Sequence, residues 1–244
     1  MKGLYGRWDT VMTPVEDIGF VLHRRPWQES SALLEVLTHH HGRLGLLAKG
    51  VQGPRSRLKG RLQPFTPLQF QWAGRGELPL LRQAQEAGPC CLLSGPALYC
   101  ALYLNELTLR LLARQDPHPE VFAAYAVALA AQSQGPAEAA LRLYERDLLQ
   151  ALGYGLQLRQ CADGEAVQAD GWYDYHMEHG PVVTGAHAPG AIPGGCLQAL
   201  ADGRLDGSAE LQSAKRLLRR AVEHHIERRG IKSRELFLPL LANA

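Results

Sequence analysis

Apolar residues recur at every second position in Leu68, Phe70 and Trp72, with Gln69 and Gln71 between them. That period belongs to a strand that buries one face and hydrates the other. Shorter apolar runs precede it at 18–22, 32–37 and 44–48, and His41-Gly42 supplies a turn that closes a hairpin between the last two. A fifth run, 78–82, follows the turn Gly74-Arg75-Gly76. Five short strands within the first eighty or so residues, joined mostly by turns and once by a long Gly/Pro/Ser loop, predict a small closed barrel. Phe70 and Trp72 lie on the apolar face of their strand and should fill it.

From Gly88 the pattern changes. Pro96, Pro119 and Pro136 each stand just ahead of a run with helical character, where proline suits the first turn. Helices are predicted at 97–114, 120–132 and 137–152, the last stopped by Gly153. Residues 153–195 hold nine glycines and three prolines with little periodicity, which predicts a loop-rich insertion with one short hairpin inside 172–183. Helical pattern returns at 196–205 and at 208–229, with Ser208 as N-cap, and a short last helix starts at Ser233. No internal repeat is visible. The reading is an α+β chain, with a barrel domain at 1–84 and an otherwise all-helical domain at 85–244.

With 244 residues, 46% apolar and 20% charged, the chain can bury roughly 70–75% of its unfolded surface. Disorder and fibrous repeats are thereby excluded. Arg7, Trp8 and Asp9 interrupt the apolar core that a secretory signal needs, and the longest uncharged apolar stretch, 121–131, is about half of the ~20 residues that span a bilayer. A cytoplasmic location is expected. The five cysteines are odd in number and contain no C-x-x-C pair, as expected for buried thiols rather than disulfides or a closed zinc site.

The net charge of +2 points to no class of partner, but its distribution does. Between Val36 and Gly76 there is no Asp or Glu, while Arg43, Lys49, Arg55, Arg57, Lys59, Arg61 and Arg75 are present. The dense part, 49–61, has the glycine-rich basic composition of a mobile loop that can follow a phosphate backbone. A solvated loop is the plain alternative, and the long acid-free run inside a barrel favours nucleic acid. Trp27, with polar neighbours Arg24, Arg25, Gln28 and Glu29, is the candidate for stacking on bases. A second basic cluster gathers Lys215, Arg216, Arg219, Arg220, Arg228, Arg229, Lys232 and Arg234. At helical spacing, Leu211, Ala214, Leu217, Leu218, Ala221, Val222 and Ile226 fill one arc beside a cationic arc. Either this is an ordinary surface helix, or it is an apolar groove with a cationic rim for an acidic peptide ending in bulky apolar residues.

Walker, dinucleotide-binding and G-x-S-x-G motifs are absent from the sequence. His39-His40-His41 reads as consecutive strand positions that point to opposite faces without nearby carboxylates, so no metal is expected there. Cys161 and Cys196 with His176, His179 or His187 have irregular spacing for zinc. His224-His225 reads as structural or exposed.

Several dispersed blocks resemble one family. Residues 22–30 (LHRRPWQES), 42–43, 47–50, 58–60 and 62–68 are similar to the N-terminal domain of the bacterial DNA repair family RecO. Tyr103-Leu104-Asn105-Glu106-Leu107, Leu152-Gly153-Tyr154-Gly155 and Lys232-Ser233-Arg234-Glu235-Leu236-Phe237 resemble markers of its helical domain, in the same order. The resemblance implies a five-stranded OB-fold, a helical domain and no catalytic residues. It implies a recombination mediator of the RecF pathway that binds single- and double-stranded DNA and anneals complementary strands. With RecR, such a protein helps load RecA onto single strands coated by single-strand binding protein (SSB). Carried onto this chain, Arg24, Arg25, Arg43, Lys49, Arg55, Arg57, Lys59 and Arg61 would hold DNA. Arg142, Leu211, Lys215, Arg216, Leu218 and Arg219 would receive the acidic C-terminal tail of SSB. A nucleoid-associated place in the cytoplasm follows, and no cofactor. Some members hold zinc through four cysteines in the insertion; this chain keeps only Cys161 there, so no zinc is expected. Two readings stay open beside this one: a protein scaffold whose basic segments meet acidic partners instead of DNA, and a nuclease using the histidine run.

Overall fold

Strand β1 (Val15–Trp27) runs thirteen residues, well past the apolar run that announces it. Its first half pairs antiparallel with β4 (Pro67–Ala73), from Val15 opposite Trp72 to Phe20 opposite Pro67. From Gly19 onward it pairs with β2 (Ser31–Thr38), so the polar stretch His23 to Trp27 is held by ladder hydrogen bonds rather than by burial. A register shift between Val21 and His23 bends the strand between its two partners. In this computed structural model, which describes residues 13–51, 53, 56, 58, 60–135, 137–226 and 230–237, the chain forms two units, 1–90 and 91–244.

In the first unit β3 (Gly42–Ala48) pairs antiparallel with β2, and β5 (Leu80–Glu86) pairs with β4 and meets β3 in parallel at Leu47 and Leu80. The order β1-β2-β3-β5-β4 closes on itself, which is the five-stranded barrel that the pattern predicts. Val21, Leu34, Leu46, Leu68 and Phe70 are fully buried inside it, and Trp72 joins them. Each such side chain contributes about 1.5–3 kcal/mol by leaving water. The fifth strand lies later than the run 78–82. A register shift opposite Gln71/Trp72 leaves Arg82 and Gln83 both exposed between buried Leu81 and Ala84, which breaks the period of two.

The second unit packs α1 (Gly95–Leu111), α2 (Pro119–Gln132), α3 (Glu138–Ala151), α4 (Gly194–Asp202) and α5 (Ser208–His225), followed by a 3-10 turn, Lys232–Phe237. Helix α1 stops short of Arg114 because Leu112 turns extended, its N–H still donated to Thr108. Gly207, not Ser208, occupies the N-cap of α5, and Ile226 leaves the helix extended. The predicted continuation over 227–229, like Pro136, lies outside the described residues. Within the insertion, β6 (Trp172–His176) pairs with β7 (Gly180–Val183) as a hairpin, and β8 (Ile192–Pro193) adds a third strand. Tyr173 and Tyr175 point their rings inward and are buried, so this glycine-rich segment carries an apolar centre of its own. No helix among the described residues is long and apolar enough to cross a membrane.

Gly19 sits where β1 is paired on both sides. A Cβ there would lie 2.6 Å from the Leu37 carbonyl oxygen and 3.2 Å from the Phe70 ring. Backbone on one side and a filled core on the other leave no room to yield. Gly19→Val is expected to cost about 1–3 kcal/mol in urea unfolding of the chain, the range of overpacked cores; an unchanged midpoint would show that β1 can shift without opening the barrel.

Candidate nucleic-acid and peptide interfaces

The ladder places several of the predicted cations together. Pro26 and Ala48 are both opposite Ala32, so the ends of β1 and β3 flank the start of β2 at one end of the barrel. Half-buried Arg24, exposed Arg25 and exposed Lys49 meet there, with Trp27 43% exposed and the Arg25 guanidinium 6.0 Å from its ring centre. An exposed aromatic face with a cation over it, at a barrel end that also carries Arg24 and Lys49 and has Glu29 in the adjoining turn, is a surface suited to a nucleotide backbone and a base.

Arg43 is elsewhere. It occupies the opposite end of β3, six residues and about 20 Å from Lys49, and its guanidinium lies 3.9 Å from Glu35 on the neighbouring strand. Both side chains are largely covered. The acid-free segment therefore overstates the free charge, because Glu35 stands one residue outside it in sequence and beside it in the sheet. Nor does the basic loop hang free. Val51 and Leu62 are fully buried in the barrel core and Leu58 packs against it, which pins the loop at both ends and near its middle. Arg61 is exposed at the last of these anchors. Arg55, Arg57 and Lys59 lie outside the described residues.

The three histidines do not sit on a strand. Thr38 pairs with Gly42, so His39, His40 and His41 form the loop of the β2–β3 hairpin, with Gly42 at φ 67° completing the turn. A carboxylate is beneath them. Asp17 is 3% exposed, and its oxygens accept hydrogen bonds from His40 N–H and lie 3.0 and 2.8 Å from the Nδ1 atoms of His40 and His41. Burial pushes that carboxyl up, but the bonds from His41 and His40 outweigh it and hold the group below the usual aspartate range. Asp17 escaped the sequence reading because it precedes the apolar run; its parity with Gly19 and Val21 was the available signal.

On α5 the apolar arc is core, not groove. Ala214, Leu217, Leu218, Ala221 and Val222 are buried, and Leu211 is half-exposed at the edge. The cationic arc is outside: Arg216 has no counter-ion among the described residues, Lys215 pairs with Glu138 at 2.8 Å, and Arg219 pairs with Glu223 at 2.9 Å. Arg220 donates to the Tyr175 carbonyl at 3.0 Å and so holds β6 to the helix. Arg142 and Leu218 are buried among the helices. Arg142 is 7% exposed and bound at 3.0 Å to Glu145, which is fully buried. A hydroxyl from Tyr103 also reaches that carboxylate, and Arg234 lies over the Tyr103 ring at 5.6 Å. Burial raises the Glu145 carboxyl against the pull of Arg142 and Tyr103. A surface cleft does open beside α3, but its cations are committed: Arg146 binds Asp147 and the Leu200 carbonyl, and Arg159 binds Asp202.

The dispersed sequence blocks of this unit meet in space. Glu106 on α1 accepts the Lys232 and Ser233 N–H groups at 3.0 and 2.7 Å, and Arg110 at 3.2 Å. Asn105 accepts from the Tyr125 hydroxyl at 2.6 Å, which ties α1 to α2. At the end of α3, Gly153 turns at φ 81° and Tyr154 stacks on His225, the last residue of α5, with ring centres 4.0 Å apart. These blocks hold elements together.

Residues 12–89 match the family described as Recombination protein O N terminal, and residues 93–235 match Recombination protein O C terminal. The chain is similar to a protein of Methylococcus capsulatus named DNA repair protein RecO, 47% identical over 223 residues, or 91% of this chain and 92% of that one. Proteins of the same name from Nitrosococcus oceani and Aliivibrio salmonicida are 46% and 42% identical, over 89% and 90% of this chain and 90% and 94% of theirs.

Burial raises the Glu106 carboxyl, but the N–H donors of Ser233 and Lys232 lower it more, and it ends below the ordinary glutamate value. A lowered folded value means the contribution is complete above the unfolded pKa of about 4.3 and is lost as pH falls through the folded one. Glu106→Gln is expected to cost about 1–2 kcal/mol at neutral pH and to speed amide exchange at Lys232 and Ser233. The difference from the parent should shrink as unfolding is measured at successively lower pH below about 4; a constant difference would remove the carboxylate charge from the contact.

Proposed function

The chain belongs to the RecO family of DNA repair proteins, and from that membership we propose that it is a recombination mediator of the RecF pathway. In this reading it binds single- and double-stranded DNA and anneals complementary strands. With RecR it helps load RecA onto SSB-coated single strands, and it works without a catalytic residue. The observation that carries the DNA reading is the end of the barrel that holds an exposed Trp27 with Arg25 over its ring, and Arg24 and Lys49 on the strand ends there. The DNA path starts there and continues over the loop cations Arg55, Arg57, Lys59 and Arg61. Arg43, paired to Glu35, contributes little.

The mechanism is neutralisation of charge. Two complementary strands repel each other through their phosphates, and a cationic surface that holds both lowers the repulsion while the base edges stay free to pair. Stacking on Trp27 splays a base without reading it. The acidic tail of SSB meets the outer arc of α5, with Arg216 as the free cation, Lys215 and Arg219 beside it, and Leu211 as the apolar contact. Arg142 and Leu218 act on that surface only by holding the helices that carry it.

Fluorescence anisotropy on a labelled single strand of roughly thirty nucleotides tests the DNA reading: with four or five phosphates neutralised, log K should fall against log salt with a slope of about 3. Replacing Arg55, Arg57, Lys59 and Arg61 by Ala should flatten that slope, whereas Arg43→Ala should leave it nearly unchanged. Adding the complementary strand should then reveal accelerated annealing. No binding at low salt would sink the mediator reading in favour of a scaffold for acidic proteins. For the second surface, Arg216→Glu is expected to weaken an acidic, Phe-ending tail peptide by roughly tenfold while DNA affinity stays intact. Parallel loss of both would mean that one surface serves both ligands.

A further inference from the structure

The hairpin loop His39–His41 is unusually constrained for a solvent-facing turn. His39 donates its N–H to the Ile18 carbonyl at 3.0 Å, His40 donates its own to Asp17 Oδ2 at 2.7 Å, and the Thr38 hydroxyl closes the turn on the Gly42 carbonyl at 2.8 Å. Asp17 is fixed in turn by the Ile18 N–H, 2.9 Å from Oδ1. Backbone and carboxylate thus hold one another in place before any ligand arrives.

Three donor atoms converge at this point. His40 Nδ1 lies 3.0 Å from Asp17 Oδ1 and 3.4 Å from His39 Nδ1, and Asp17, His39 and His40 each offer one ligand atom within 4.8 Å of the others. A tetrahedral zinc-class ion with bonds of about 2.0–2.1 Å keeps its ligand atoms about 3.3 Å apart. Two edges of the triangle already have that length. Among the described residues this is the one grouping of His, Cys, Asp or Glu with such geometry; Cys161 and Cys196 do not join the insertion histidines in one.

We propose that Asp17, His39 and His40 bind one divalent transition-metal ion of the zinc class. Two imidazole nitrogens and one carboxylate oxygen are the borderline donors that zinc, cobalt and nickel prefer, whereas magnesium and calcium favour all-oxygen sites. His39 Nδ1 also lies 3.0 Å from His40 Nε2, a contact that the ion displaces when both imidazoles present Nδ1 to it. The fourth position faces solvent, since the His40 side chain is 67% exposed. His41 stands behind the ligands: its Nδ1 is 2.8 Å from Asp17 Oδ2, and its ring meets Trp72 edge-on at 5.2 Å. It orients the carboxylate as second-layer partners of metal sites do. The site is about a strand's length from the barrel end assigned to DNA, and it neither needs that assignment nor supports it.

The test is a titration of the full, untagged chain with cobalt(II), followed by its visible ligand-field absorption, with zinc competing the signal away. One equivalent should bind with the intense bands of tetrahedral cobalt. His39→Ala and His40→Ala, both in the loop, should each lose at least about a hundredfold in affinity, and His41→Ala about tenfold. Circular dichroism checks that the three loop variants are folded; they are chosen over Asp17→Asn because Asp17 is buried. Absence of a saturable one-equivalent phase would overturn the proposal. So would cobalt binding that survives both His39→Ala and His40→Ala, because the ion would then sit on histidines elsewhere in the chain.

Discussion

Closure of the barrel rests on a single strand that must be paired on both of its edges. β1 gives its first half to β4 and its second half to β2, and the overlap falls at Gly19 and Phe20. At Gly19 the Leu37 carbonyl and the Phe70 ring approach so closely that a side chain has no place. The rest of the unit follows from that crossing. With β1 shared and β3 meeting β5 at Leu47 and Leu80, the sheet has no free edge, and its inward residues have a common interior to fill. The far end of β1 is carried out to Arg24, Arg25 and Trp27, beside Lys49.

The helical unit is organised by buried charge. Glu145 has no exposure, and it is tolerated because Arg142 and Tyr103 converge on it, with Arg234 over the Tyr103 ring. Removing one partner of such a pair leaves a bare charge in the interior, at a cost of about 3–5 kcal/mol. Glu106 performs a related task nearer the surface by capturing two backbone N–H groups of the 3-10 turn. The polar residues of these sequence blocks therefore specify how α1, α3 and the C-terminal turn assemble.

Charge read along the chain and charge read on the surface differ in a systematic way. Arg43, Arg142, Arg146 and Arg220 count as cations in the sequence, yet each is engaged in the fold: Arg43 by Glu35 on the next strand, Arg142 by Glu145 one turn on, Arg146 by Asp147 and the distant Leu200 carbonyl, and Arg220 by the distant Tyr175 carbonyl. Arg25, Lys49 and Arg216 have no such partner among the described residues. A phosphate or an acidic tail is attracted to the second group, because a paired, covered charge has already given up most of its field.

By itself the sequence determined the elements whose periodicity is local: the alternation at Leu68, Phe70 and Trp72, the proline-led starts of α1 and α2, the glycine after α3 and the turn at His41-Gly42. The family blocks were also legible, since each is short and contiguous. Tertiary structure alone decided whatever depends on which distant residue lies opposite. The bulge that displaces β5, the pairing of Arg43 with Glu35, the burial of Arg142 and Leu218, and the convergence of Asp17 on His39 and His40 are of this kind. Periodicity says which face of an element is apolar, but not what covers it. The long-range ladder and packing set that, and with it which charges remain free to act.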